Sequence, residues 1–371
     1  MTTALRPFSP VSPGEILEEE LEVRGWSQSD LGGILGRPVQ AINEIISGKK
    51  AITPETAIGL SEALGTSAEY WLKLEASYRL DLLHQSNDRR TAEVERRSRL
   101  FSKVPVKDLI KRRWIDANLN DLDQTEQEVC RFLGVDSMEQ EPRCAFAARK
   151  SERRQAHTRA EIAWVCQARR VASALAAGKY ERKRLAAHVA ELPKLSVSEA
   201  GTRGLSNVLA DLGVRFVLVE HLPGTKIDGA AFWLSGHAPV VAVSLRYDRV
   251  DWFWFTLLHE LAHILRGDTQ DRTFLDQALV GKDADRADVP AWEAEADRVA
   301  GDWLIPPARL GAFIAETRPY YSRVAVLRFA ESLGVHPAIV VGRLQSRGEI
   351  PYTHHRGQLA RVRYLLVPAK R

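Results

Sequence analysis

Between residues 13 and 80 apolar side chains return every three or four positions between short polar turns, which predicts a bundle of short helices. Gly14 to Val23 carries Ile16, Leu17 and Leu21 on one face. Ser27-Gln28-Ser29-Asp30 is a capping signal; it opens a second helix through Leu31, Ile34 and Leu35, with Gly36 as the turn. Pro38 to Ile46 predicts a third helix, closed by Ser47-Gly48-Lys49-Lys50. Thr53-Pro54 caps and starts a fourth, with proline in the favoured first position and Ala57, Leu60 and Leu64 inward. Residues 81–200 keep the helical period but carry charged faces, as a helical connector would. The period changes after Pro193. Val214 to Val219 is a β-branched strand candidate, and Ala230–Leu234 and Val240–Leu245 bracket a Ser235-Gly236-His237 turn, the pattern of a hairpin. Leu257, Leu258, Leu261, Ile264 and Leu265 restore helical spacing until Gly267, and Trp292 to Ala300 continues it. The aromatic cluster Trp252 to Phe255 precedes the first of these helices and is expected as core packing.

Inside the apolar helix stands His259-Glu260-x-x-His263. Residues four apart share a helix face, so the two imidazoles can address one ion, and Glu260 sits where it can take a proton from a metal-bound water. Unpartnered polar side chains in so apolar a helix would be costly, which favours a metal over chance. The downstream helix offers Glu293 as a third ligand, with Glu295 as the rival, and a water would complete a zinc site of the two-His, one-Glu type. Asp297, four residues beyond Glu293, suits a supporting role in which it accepts the free N–H of a ligand imidazole. An oxyanion donor is expected as well; Tyr320, Tyr321 and His336 are the candidates.

The second and third N-terminal helices, joined by a tight glycine turn, predict a helix-turn-helix whose second member enters the major groove. Gln40 and Asn43 have amide edges suited to bases, Val39 stands beside them, Gln28 suits a backbone or base contact, and Lys49 suits a phosphate. Charge complicates this: Pro13 to Glu75 holds eleven acids and five bases, and Arg37, Lys49 and Lys50 are the bases near the expected recognition helix.

The chain has 371 residues, enough for two or three domains, with 45% hydrophobic and 27% charged residues. No apolar run is long enough to span a bilayer, so no membrane role is expected and the cytoplasm is the expected compartment. Three cysteines, Cys130, Cys144 and Cys166, show neither metal-type spacing nor an even count. The net charge of +4 is unevenly spread: Arg89 to Arg113 holds ten Lys/Arg against three acids, and Arg149 to Arg159 five against one. Such runs are ordinarily solvated helix faces, though they can also track phosphates.

Two resemblances sharpen these expectations. Pro13-Gly14-Glu15-Ile16-Leu17, Gly48 to Thr53 and Ala63 to Leu72 resemble the HigA-type antitoxin branch of the XRE helix-turn-helix family, over nearly all of residues 13–80. That implies operator DNA binding as a homodimer. Thr256 to His263, Glu293-x-x-Ala296-Asp297-Arg298-Val299-Ala300 and Leu304-Ile305-Pro306 resemble the ImmA/IrrE metallopeptidase family, with Val299 where that family usually has Phe. This resemblance implies Zn²⁺ on His259, His263 and Glu293, Glu260 as general base, and a repressor or antitoxin as protein substrate. The expected architecture is mainly α with a small β-sheet: a helix-turn-helix domain at 13–80, a connector at 81–200, and an α+β zincin-like peptidase domain at 201–371. A regulator with an endopeptidase domain is the expected function. The competing expectation is a non-proteolytic antitoxin or repressor whose metal domain senses a ligand or grips a cognate toxin.

Overall fold

The computed structural model describes residues 11–85, 89–142, 158–267, 274–277 and 290–367. The basic run at 149–157 and Cys144 lie outside them. The chain divides into two bodies, Met1–Arg97 and Ser98–Arg371.

Among the described residues the first body holds five whole helices, α1 Pro13–Arg24, α2 Gln28–Leu35, α3 Val39–Ile46, α4 Pro54–Leu64 and α5 Ala68–Gln85, and the start of a sixth. Local chemistry sets the starts. Ser12 with Glu15 and Ser27 with Asp30 form reciprocal capping boxes, and the Thr53 hydroxyl accepts from the N–H of Thr56. Leu17, Leu21, Leu31, Ile42, Leu60 and Trp71 close one core, and the Trp71 indole N–H donates to Thr66 Oγ1 at 2.7 Å.

The second body takes in the end of α6 (Arg89–Lys103), then α7 Val106–Lys111, α8 Leu122–Leu133, α9 Arg159–Ser173, α10 Arg182–His188, a 3₁₀ segment Val189–Val197 and α11 Glu199–Asp211. Strands β1 Arg215–Leu218, β2 Ile227–Trp233 and β3 Pro239–Val243 follow, then α12 Val250–Arg266, β4 Phe274–Gln277, α13 Ala291–Leu304, α14 Pro307–Thr317, α15 Arg323–Leu333, α16 Pro337–Ser346 and α17 Arg363–Leu366. The sheet order is β1-β3-β2-β4; β1 runs parallel to β3, and the β2–β3 hairpin pairs Ala231 with Val241. A bulge lies between Ile227 and Gly229, where β2 meets β4.

Two expectations change here. The described residues between 98 and 172, within the connector expected at 81–200, do not stand apart but pack on the sheet. One sheet face (Phe216, Ala231, Trp233, Val241, Val243) packs on α11 and α12, while the other (Val217, Ala230, Phe232, Val240, Ala242) is covered by α7 to α9. Strands buried at every position need cover on both faces, and α9 supplies it, anchored where Trp164 Nε1 donates to the Val219 carbonyl at 2.9 Å. Trp252 to Phe255 likewise does not precede the metal-motif helix but forms its first turns, since α12 begins at Val250. That helix is buried along nearly its whole length, between the sheet and helices α13 and α16. No single helix among the described residues is long and apolar enough to cross a membrane.

Candidate metal centre

Burying α12 all round leaves its polar residues with only protein partners. His259, Glu260 and His263 are fully buried and Glu293 nearly so. His259 Nε2 lies 3.0 Å from His263 Nε2 and 3.0 Å from Glu293 Oε2, and His263 Nε2 lies 3.5 Å from the same oxygen. Behind the triangle, Asp297 Oδ1 is 2.9 Å from His259 Nδ1. The His263 ring meets Trp292 edge to face, with centroids 5.4 Å apart.

This arrangement fits a metal. Ligand distances of roughly 2.0–2.2 Å at tetrahedral angles put donor atoms about 3.4 Å from one another, close to the observed triangle. Protons alone serve it poorly. With Asp297 beside Nδ1, the proton of a neutral His259 belongs there, so its Nε2 lone pair faces a carboxylate oxygen. A doubly protonated His259 would satisfy both carboxylates, yet His263 Nε2 would crowd the same N–H. A cation at the centre satisfies all three donors. His259, His263 and Glu293 are also the one His/His/Glu group of this kind found among the described residues.

Of the other expected site residues, Glu295 turns away: Arg298 grips its carboxylate at 2.7 and 2.8 Å and holds it below the usual carboxylate range. Two of the three oxyanion candidates are engaged elsewhere. Tyr320 is exposed, the Tyr321 hydroxyl donates to Glu349 at 2.6 Å, and His336 Nδ1 caps α16 by accepting from the N–H of Ala338. Sequence reasoning missed Gly229. A Cβ there would stand 2.3 Å from Glu260 Oε1 and 2.8 Å from Thr256 Cγ2, so the backbone of β2 lies directly against the Glu260 carboxylate. A bulge-forming glycine in a strand is the one available hint, and it does not say what approaches it.

In the first body, α3 presents Val39, Gln40 and Asn43 on its exposed side, and Lys49 is exposed just beyond it. Gln28, the first residue of α2, accepts from Asn43 Nδ2 at 3.2 Å. The amides of the two helices are thus held side by side at the helix-turn-helix corner.

Comparison with known proteins agrees with both halves. Residues 17–71 match the helix-turn-helix family, and residues 213–345 match the IrrE N-terminal-like domain of the M78 peptidases. The chain belongs to the helix-turn-helix regulators through its first body and carries an M78 peptidase-family domain in its second. Among relatives, an uncharacterized helix-turn-helix transcriptional regulator of Escherichia coli, YddM, is 30% identical over 24% of this chain and 90% of its own length. Virulence-associated protein I of Dichelobacter nodosus is 37% identical over 20% of this chain and 70% of its own. Of solved structures, the antitoxin HigA of Pseudomonas aeruginosa with its higBA promoter is 32% identical, covering 21% of this chain and 86% of that one, with a TM-score of 0.21. Each of the three likenesses covers less than a quarter of this chain.

Proposed function

We propose that this protein is an operator-binding regulator whose second body is a zinc-dependent endopeptidase acting on a repressor or antitoxin, its own first body or a partner's included. The observation that carries the peptidase reading is the convergence of His259, His263 and Glu293 donor atoms within 3.0–3.5 Å, with Glu260 on the same helix. His259, His263 and Glu293 hold the metal, and Asp297 fixes the His259 ring. When bound, zinc supplies Lewis acidity that polarises a peptide carbonyl and acidifies water. Glu260 takes the proton of the attacking water and returns it to the leaving amine; Gly229 lets β2 hold that carboxylate in place. A purely structural site has no use for an acid at 260. On the DNA side, Gln40 and Asn43 read base edges, Gln28 braces Asn43, Val39 packs against the groove, and Lys49 meets a phosphate, with two copies on related half-sites.

The test is metal content by mass spectrometry on wild type and His259→Ala, purified without added metal, together with cleavage by Glu260→Gln. Near-stoichiometric zinc lost in H259A, and metal retained with cleavage abolished in E260Q, are the expected results. Wild-type protein without metal demotes the second body to a binding module. Cleavage persisting in E260Q removes Glu260 from the mechanism.

A further inference from the structure

Between α12, α13 and α16 lies a cavity of about 440 Å³ that none of His259, Glu260, His263 or Glu293 lines. Its apolar walls are Trp252, Phe255, Leu304 and Ile339. Three aspartates and three arginines line the rest, and part of that charge is already matched. Asp251 is held by Arg249 at 2.6 Å and Arg298 by Glu295 and by Asp302 at 2.7 Å, while Asp297, against the neutral His259 ring, keeps its charge and attracts Arg343. Arg343 and Arg347 remain, one turn apart at the end of α16. Among the described residues neither has a carboxylate within 4.0 Å, and Arg343 Nε is buried with no acceptor. The Arg343 guanidinium is laid flat on the backbone of α13, where a Cβ on Gly301 would stand 2.4 Å from Nη2. Burial first, and the Arg347 charge second, hold it below the usual arginine value, against the pull of Asp302 and Asp297. Trp252 adds a second unmet donor, because its buried indole N–H has no acceptor either.

A pocket of this size, with apolar walls and buried donors that lack acceptors, is built for a ligand that brings the acceptors. We propose that this cavity binds a small organic anion, with its carboxylate or phosphate group on Arg343 and Arg347 and its flat apolar body against Trp252 and Phe255. A planar guanidinium fork matches such oxyanions in geometry as well as charge. The site is separate from the proposed peptidase chemistry, although Asp297 belongs to the walls of both.

The test uses the full-length protein and ligand-observed saturation-transfer NMR, with benzoate and phenyl phosphate as probes and benzyl alcohol as the neutral control. Both anions are expected to bind saturably, and the alcohol at least tenfold more weakly. Arg343→Gln should weaken benzoate about tenfold and Arg347→Gln at least threefold, a bidentate charge-assisted pair being the stronger contact. Arg347 is exposed, so R347Q decides the matter if R343Q fails to fold. Carboxylates and phosphates also ligate metals, and His263→Ala separates the two sites. Binding kept in H263A and weakened in R347Q supports the cavity. Binding lost in H263A but unchanged in R347Q puts the anion on the metal and overturns the proposal. No saturable binding, or equal binding of benzyl alcohol, overturns it too.

Discussion

Gly229→Ala tests how the sheet and the metal-motif helix are fitted together. The added methyl would sit 2.3 Å from Glu260 Oε1, 3.0 Å from Glu260 Cδ and 2.8 Å from Thr256 Cγ2. Ordinary contact begins at 3.4 Å, so the carboxylate or the strand must move by 3.4 − 2.3 = 1.1 Å. Neither has easy room. Glu260 is fully buried, β2 is paired on both sides, and α12 is covered by α13 and α16. Overpacking of this kind costs about 1–3 kcal/mol. For a body of this size that is a fall of roughly 2–12 °C in melting temperature. A catalytic group displaced by about 1 Å loses on the order of 10²-fold in rate. None of His259, His263 and Glu293 is touched, so bound metal should stay at the wild-type level. The assays are thermal melting, metal content by mass spectrometry, and cleavage of a fluorogenic peptide library. Gly236→Ala is the control, because a Cβ there meets nothing within 4 Å. If G229A melts with G236A and cleaves at the wild-type rate, β2 does not hold Glu260 and the account of the site is wrong. The melting readout bears on the packing even if wild type cleaves no peptide in the library.

Asp297→Ala removes the partner of His259 Nδ1 and should weaken zinc about 10- to 100-fold in a chelator competition; unchanged affinity would leave Asp297 without the supporting role. The Glu349 carboxyl is held down to about 2, mainly by the Arg318 side chain and then by the Tyr321 hydroxyl. A carboxyl lowered in the fold stabilises above its unfolded value of 4.5 and loses that contribution as pH falls toward 2. Glu349→Gln should therefore unfold at lower denaturant than wild type at pH 7, with the gap narrowing from pH 4 to pH 3; a constant gap would count against the Arg318 pairing. On DNA upstream of the protein's own coding region, Gln40→Ala should cost about 1–3 kcal/mol and relax sequence preference, whereas Lys49→Ala should lower the salt slope by about 1. Fluorescence anisotropy at several salt concentrations separates the two effects, and a K49A slope equal to wild type would remove the phosphate contact.

Much of the site was legible along the chain because helices turn sequence spacing into spatial proximity. His259 and His263 share a face by their four-residue spacing alone, and Ser27 and Thr53 announced helix starts through contacts within three residues. The sequence favoured Glu293 but left Glu295 as a rival, since which face of α13 turns toward α12 depends on packing between helices distant in sequence. The structure puts Glu293 against His259 and ties Glu295 to Arg298. The apolar run Val240-Val241-Ala242-Val243 signalled a hairpin strand, but not that both of its faces would be covered, one of them by α9 from far upstream. Gly229 beneath Glu260 and the arginines that share a cavity with Trp252 are products of tertiary structure alone. Close approach of backbone to side chain, and the withholding of acceptors from buried donors, arise only when elements remote in the chain are brought together.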